Sequence, residues 1–178
     1  DHKASNSYVN VFASVARNKN KIKAISNSLK KFNEDQDADK NQSDNSTNKT
    51  DITTPSVRFE EGQSMSAIWA VPSLGIDPQN GKEIYVKKDG TVTYQWDSRD
   101  QVVRGDTQPE FTGNFGFNSE IKGFGISATF SYRLGGQIYN QTLVDKVENA
   151  SIYYNVDRRV FTDRWQKAGD MALYKSIA

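Results

Sequence analysis

Apolar residues along the chain gather in short runs whose spacing predicts strands more often than helices. From Tyr8 to Ala16, Val9, Val11, Ala13 and Val15 share one parity, the period of a strand with one apolar face. Phe12 falls on the other parity, so the alternation is imperfect. Ile22, Ile25, Leu29 and Phe32 then recur at intervals of three and four, with lysines on the opposite side. That spacing predicts a short solvated helix packing one apolar stripe. A basic helix lying on a membrane surface would show the same pattern.

Residues 33–54 are almost wholly polar, rich in Asn, Asp, Ser, Thr and Lys. Such a segment offers too little apolar area to offset its ordering entropy, and a mobile loop is expected. Asn45-Ser46-Thr47 and Asn48-Lys49-Thr50 match the glycosylation sequon, a pattern short enough to recur by chance in such a stretch. An apolar run resumes over 67–74, where Pro72 removes a ladder donor; an edge, bulged or short strand is expected there. Asp77-Pro78-Gln79-Asn80-Gly81 has the chemistry of a turn. Beyond it, Ile84-Tyr85-Val86 and Val92-Thr93-Tyr94-Gln95-Trp96 flank Lys88-Asp89-Gly90. A three-residue loop with Gly90 left-handed would pair position 87 with 91 and put Ile84, Val86, Val92, Tyr94 and Trp96 on one face. A two-residue loop would split those apolar residues between faces, so the three-residue loop is expected.

The clearest alternation lies in 111–135. Phe111, Phe115 and Phe117 are all odd-numbered, with Thr112, Asn114, Gly116 and Asn118 between them. After a break at 119–123, Phe124, Ile126, Ala128, Phe130, Tyr132 and Leu134 occupy one face of a second strand. Gly125, Ser127, Thr129, Ser131, Arg133 and Gly135 occupy the other. A hairpin is predicted, turning within 119–123. Its strands approach the roughly 9–11 residues that a tilted membrane-spanning strand needs. Any antiparallel sheet with one face on a core shows the same period. Small and amide residues on the polar face, where Lys and Glu are usual, favour the membrane reading, as do aromatics near the strand ends.

Composition narrows the chemistry. Only 35% of the 178 residues are hydrophobic, a low share for a self-sufficient soluble core. The net charge of +1 gives no general pull toward nucleic acid or acidic lipid, and no nucleic-acid partner is expected. There are no cysteines, which rules out thiolate chemistry and cysteine-ligated zinc, and with His2 the single histidine a Ser-His-Asp triad or a multi-histidine metal site would need partners from outside this chain. No apolar stretch reaches a spanning helix, and Asp1-His2-Lys3-Ala4-Ser5-Asn6 carries no signal-peptide core. Without an initiator methionine or a terminating signal, both ends are read as cuts through a longer chain.

Several segments in one order resemble the SusC/RagA-type TonB-linked outer-membrane proteins. They include Asn18-Lys19-Asn20-Lys21-Ile22, Glu61-Gly62-Gln63-Ser64-Met65-Ser66-Ala67-Ile68-Trp69 and Leu74-Gly75-Ile76-Asp77-Pro78. Arg104-Gly105-Asp106-Thr107-Gln108-Pro109 and Gly113-Asn114-Phe115-Gly116-Phe117-Asn118 follow, then Lys122-Gly123-Phe124 and the run from Phe130-Ser131-Tyr132-Arg133-Leu134 through Gly135-Gly136-Gln137-Ile138-Tyr139-Asn140. Asn155-Val156-Asp157-Arg158-Arg159 and Arg164-Trp165-Gln166 close the series. The resemblance implies an all-β fragment, antiparallel hairpins from a late part of a transmembrane β-barrel, with one short helix and long polar loops. On this reading 1–178 is a partial TonB-dependent receptor barrel, with 33–54 a mobile loop and 111–135 a barrel hairpin.

The same resemblance implies an outer-membrane location and a role in nutrient uptake, of glycan fragments or peptides. The implied partners are the rest of the parent barrel and, through the parent, a surface lipoprotein and TonB. No residue matches the plug or the TonB-contacting segment. Relatives often carry an Asp-rich, calcium-like loop after the Gly-Ile-Asp-Pro turn; here Lys87 and Lys88 stand where oxygen ligands would be needed, and no calcium is expected. The alternative is a secreted β-rich glycan-binding module, with the same aromatic-rich strands.

No catalytic, cofactor-binding or metal-binding residues are expected, and no enzyme activity. Asp97 and Asp100 flank Ser98-Arg99 but read as turn formers rather than an acid–base pair. Tyr94, Trp96, Tyr139, Tyr153, Tyr154 and Trp165 could stack on sugar rings, although loop packing explains most of them. Arg158, Arg159 and Arg164 are expected to pair with Asp157 and Asp163. Gly135-Gly136 follows a strand but opens no helix, which excludes a phosphate loop.

Overall fold

Strands outnumber helical segments in the computed structural model, which describes residues 7–42, 54–150, 153 and 155–176. In chain order the elements are β1 (Tyr8–Ala16), helix α1 (Asn27–Gln42), β2 (Ala67–Ala70), β3 (Ser73–Ile76), β4 (Glu83–Val86), β5 (Val92–Thr93), β6 (Val102–Asp106), β7 (Phe111–Ile121) and β8 (Phe124–Leu134). Helical turns over Gln141–Leu143, Val144–Glu148 and Arg159–Thr162 follow. The all-β character expected from the sequence is present. Among the described residues the strands form three separate open sheets, ordered β1-β7-β8, β2-β6 and β3-β4-β5, and none closes into a barrel.

The chain divides into two units, the first made of residues up to Asn20 with Thr107–Gln137. It is the β1-β7-β8 sheet. β7 and β8 pair antiparallel from Phe111↔Leu134 to Ile121↔Phe124, so the expected hairpin forms. Its turn is tighter than the 119–123 break suggested: only Lys122 and Gly123 lie outside the ladder. Both have positive φ, 51° and 86°, as a mirror-image type I′ turn requires. That turn matches the right-handed twist of the strands, which lets pairing run on to Ile121. β1 lies on the other side of β7, from Tyr8↔Glu120 to Ala16↔Thr112.

The second unit comprises Lys21–Asp106 with the chain from Ile138 onward. Pro72 divides the apolar run at 67–74 into β2, which pairs with β6, and β3, which pairs with β4. The smaller hairpin has the expected register: Val86↔Val92 and Tyr85↔Thr93 pair, and Lys87 N–H donates to Thr91 O at 2.8 Å. Gly90 sits at φ 84°, where a side chain would be strained. β5 ends at Thr93, so Tyr94 and Trp96 leave the ladder.

Helix α1 corrects two expectations. Ile22 and Ile25 precede it: Ile22 exchanges backbone hydrogen bonds with Gly62 and Gln63, and Ile25 N–H donates to Glu61. The helix begins after Ser26, whose hydroxyl accepts from Leu29 N–H at 3.3 Å, an N-cap. It then runs to Gln42, so residues 33–42 of the expected loop are helical; 43–53 lie outside the described residues. The reason is polar rather than apolar packing. Asn33, Asp37 and Asn41 recur every four residues, and the first two are buried. Asn33 donates to Phe59 O at 2.7 Å and accepts from Phe59 N–H at 3.2 Å, as a strand backbone would. Asn41 accepts from Ser98 N–H and donates to Asp97.

The apolar interior of this unit is small: Trp69, Tyr85, Val144, Val147 and Val160. Polar groups complete it. Arg164 is buried and donates to the carbonyls of Val147, Glu148, Val160 and Lys175, joining three helical and C-terminal segments. The indole of Trp165 lies against Gly81, where an added Cβ would come within 2.5 Å of the ring. Its Nε1 donates to Pro78 O at 2.9 Å. The glycine at the end of the Asp77-Gly81 turn thus makes room for the ring.

Candidate functional surface

The surface with most to explain is the sheet β1-β7-β8. Its pairing register sets the apolar residues of all three strands on one face. Val11, Phe117 and Ala128 stand abreast, as do Ala13, Phe115 and Phe130, and then Ile121 and Phe124. Phe115 and Phe130 stack at 5.2 Å between ring centroids, and Tyr132 tilts against Phe115 at 6.3 Å. Such cross-strand aromatic pairs stabilise a sheet by about 0.2–1 kcal/mol each. A register slip of one residue would send this whole set to the other face.

The opposite face is polar and small. Ser127 donates to Asn118 at 2.6 Å and Ser131 to Asn114 at 2.7 Å, while Ser14 Oγ accepts from Asn114 N–H. Phe12, the residue off parity in β1, lies across Gly116, where a Cβ would meet its ring at 2.7 Å and Ala128 O at 2.4 Å. A glycine directly beside Phe12 makes room for this large apolar side chain on the polar face.

Among the described residues, nothing within the unit covers the apolar face. Ile126 is 64% exposed and Phe130 52%; Val9, Val11, Val15, Phe124 and Leu134 are exposed too. Burying a side chain of this size is worth about 1.5–3 kcal/mol. An uncovered stripe contributed by three strands therefore forgoes far more than a small sheet can spare in water. With 11 residues each, β7 and β8 are about 36 Å long at a rise of ~3.3 Å per residue. Tilted by roughly 40°, they would span about 28 Å, close to the ~25 Å apolar band of an outer-membrane barrel.

The residues singled out in the sequence take structural places. Asp97 caps the turn Ser98–Asp100, accepting from Arg99 N–H, and its carboxyl is held well below the usual range by hydrogen bonds from the Arg99 guanidinium. Asp100 accepts from Lys88 N–H. Asp157 pairs with Arg159 at 2.9 Å, and that guanidinium lowers its pKa to about 2. Arg164 does not pair with Asp163 as expected, because it donates instead to the backbone carbonyls of Val147, Glu148, Val160 and Lys175; burial lowers its pKa. Among the aromatic residues, Trp165 and Tyr94 both meet the 77–81 turn, Trp165 against Gly81 and Tyr94 donating to Asp77 at 2.6 Å; Trp96 and Tyr139 are half-buried, and Tyr153 is exposed. Tyr154 lies outside the described residues.

One cluster escaped the sequence reading. Arg58 Nη1 lies 2.8 and 2.9 Å from the two oxygens of Asp37, the buried Ser98 hydroxyl donates to the same carboxylate, and Arg58 also reaches Glu60 at 2.9 Å. The guanidinium stands 5.8 Å from the Trp69 ring centroid. Asp37, Arg58, Ser98 and Glu60 partner one another, as in a fold-holding network, while the buried Trp69 Nε1 finds no hydrogen-bond acceptor. Only the four-residue spacing of Asn33, Asp37 and Asn41 could have signalled it. Among the described residues no group of His, Asp and Glu is placed to hold a metal ion, and no helix is long and apolar enough to cross a membrane. No family model, curated protein or solved structure matches the chain.

Proposed function

We propose that this chain is a segment of a SusC/RagA-type TonB-linked outer-membrane transporter, and that β1, β7 and β8 form part of its barrel wall. The observation that carries the reading is the two-sided sheet: an in-register apolar stripe left uncovered on one face, and a ladder of Ser and Asn on the other. Lipid would cover the first and a water-filled or plugged lumen would meet the second. Open edges at β1 and β8 fit the same reading, because each would pair with a further strand of the parent barrel. In such a transporter the segment forms wall and loop and performs no chemistry. The parent imports glycan fragments or peptides with a surface lipoprotein and TonB.

The competing reading is a secreted glycan-binding module. Solubility separates the two. The 178-residue chain produced alone is expected to aggregate in buffer and to require detergent, since its sheet has an apolar face and two free edges. The parent protein should fractionate with the outer membrane. A monodisperse, detergent-independent monomer that is retained on immobilised glycans would overturn the transporter assignment.

A further inference from the structure

Phe12 breaks the alternation of β1 and stands on the polar face of the sheet, where its ring lies across Gly116 and the residue remains 37% exposed. The register places Phe12, Gly116 and Thr129 in one row across the three strands. Asn10, Asn118 and Ser127 form the row on one side of it, and Ser14, Asn114 and Ser131 the row on the other. At ~3.4 Å per residue each flanking row stands about 7 Å from that of Phe12. The two rows repeat one arrangement: a serine of β8 donates to the side-chain oxygen of an asparagine of β7, Ser127 to Asn118 and Ser131 to Asn114. Each amide is thereby fixed by its oxygen, while its Nδ2 donors have no partner among the described residues. No charged side chain stands in these three rows.

Resting on the reading of this face as the wet side of a barrel wall, we propose that Phe12, with Asn114 and Asn118, forms a stacking subsite for a neutral oligosaccharide. An aromatic ring among polar neighbours gains little from packing on them, but it suits a ligand that is apolar on one side and polar at its rim. A pyranose is such a ligand. Its C–H face lies on the ring, and its hydroxyls, each a donor and an acceptor, meet the amides and serines of the flanking rows. A charged peptide finds no countercharge there, since Glu120 and Arg133 stand only in the outermost rows. The strip therefore favours the glycan over the peptide as cargo. Tyr8, on the same face of β1 and 55% exposed, offers a second ring about 14 Å along the strand, so a chain of sugars engages the strip better than a single one.

The test is calorimetric titration of the full-length parent protein, reconstituted in lipid, with neutral oligosaccharides of an α-glucan, a β-glucan, a xylan and a mannan. An oligogalacturonate and a mixed peptide digest are titrated beside them, and each variant is first checked for outer-membrane fractionation. The expected result is saturable binding of at least one neutral oligosaccharide. Phe12→Leu, which keeps the apolar bulk and lacks the ring, weakens it about tenfold, and Phe12→Tyr retains it. Asn114→Ala and Asn118→Ala weaken it as well, and they carry the test if Phe12→Leu does not reach the membrane. Ile126→Val, on the apolar face, leaves it unchanged. Neutral-sugar binding that survives all of the Phe12→Leu, Asn114→Ala and Asn118→Ala substitutions would overturn the subsite, as would binding of the peptide digest or the oligogalacturonate alone, or of none of the probes. Phe12-dependent sugar binding by a soluble, detergent-independent monomer would keep the subsite and remove the barrel reading instead.

Discussion

Asp37 shows how far a single side chain can depart from its compositional context. It lies in a stretch poor enough in apolar residues to read as a loop, yet its carboxylate gathers Arg58 and the buried hydroxyl of Ser98. Hydrogen bonds to Asn33, Asp37 and Asn41 replace the apolar burial that composition said was missing. Asp37→Ala would leave the Ser98 hydroxyl without its acceptor and Arg58 with Glu60 alone. The expected loss is about 3 kcal/mol, at the low end for a broken buried pair because Glu60 remains. Denaturant unfolding measures it, and Asp37→Asn, which still accepts from Ser98, should lose less. A second residue sets a pH dependence. Burial, and then the charge of Glu83, raise the pKa of the Glu148 carboxyl above its ordinary range. The folded state therefore holds this proton more tightly than the unfolded one, and stability from this group is greatest below the unfolded pKa and falls as pH rises through the folded value. Glu148→Gln should be more stable than the parent at neutral pH, with the difference shrinking as pH approaches ~4.3. Melting temperatures of both proteins across that range test the sign.

At the scale of elements, the strands were legible where their period was strict. β1, β7 and β8 follow the alternation of Val9, Val11, Phe115, Phe117, Ile126 and Phe130, and the Lys88-Asp89-Gly90 loop has the register its apolar faces demanded. What could not be read was governed by contacts distant in sequence. Ile22 pairs with Gly62 and Gln63, which leaves the start of α1 to the local cap at Ser26, so the helical spacing of Ile22 and Ile25 was coincidental. Arg164 likewise looked like a partner for Asp163, and only the fold reveals four carbonyls around it. The faces of β8 give the sharpest contrast between neighbours. Phe130→Arg, placed near the middle of the strand on the apolar face, should cost roughly 2–4 kcal/mol in a bilayer. Thr129→Arg, one residue away and toward the polar face, should cost far less. Reversible unfolding of the parent barrel in lipid vesicles measures both, and equal costs would mean that the two faces meet the same surroundings.

At the scale of the molecule, the account rests on a division of labour between two units. One is a sheet with a stripe it cannot cover by itself; the other is a loop-built body held by a few valines, Trp69 and a polar network. Of the residues singled out in the sequence, Asp97 proved a cap and Trp165 a packing aromatic, and on the proposed reading what matters is which face of the sheet meets which solvent. That claim is tested most directly by a nitroxide scan. Single cysteines at 126 through 131 are spin-labelled in the parent protein reconstituted in lipid, and each label's collisions with oxygen and with a water-soluble nickel complex are recorded. The account predicts a period of two: labels at Ile126, Ala128 and Phe130 relax with oxygen and not with nickel, and labels at Ser127, Thr129 and Ser131 show lower oxygen accessibility and, where the lumen admits water, contact with nickel. Uniform access to nickel along the strand, or a period of two with the odd positions facing lipid, would contradict it.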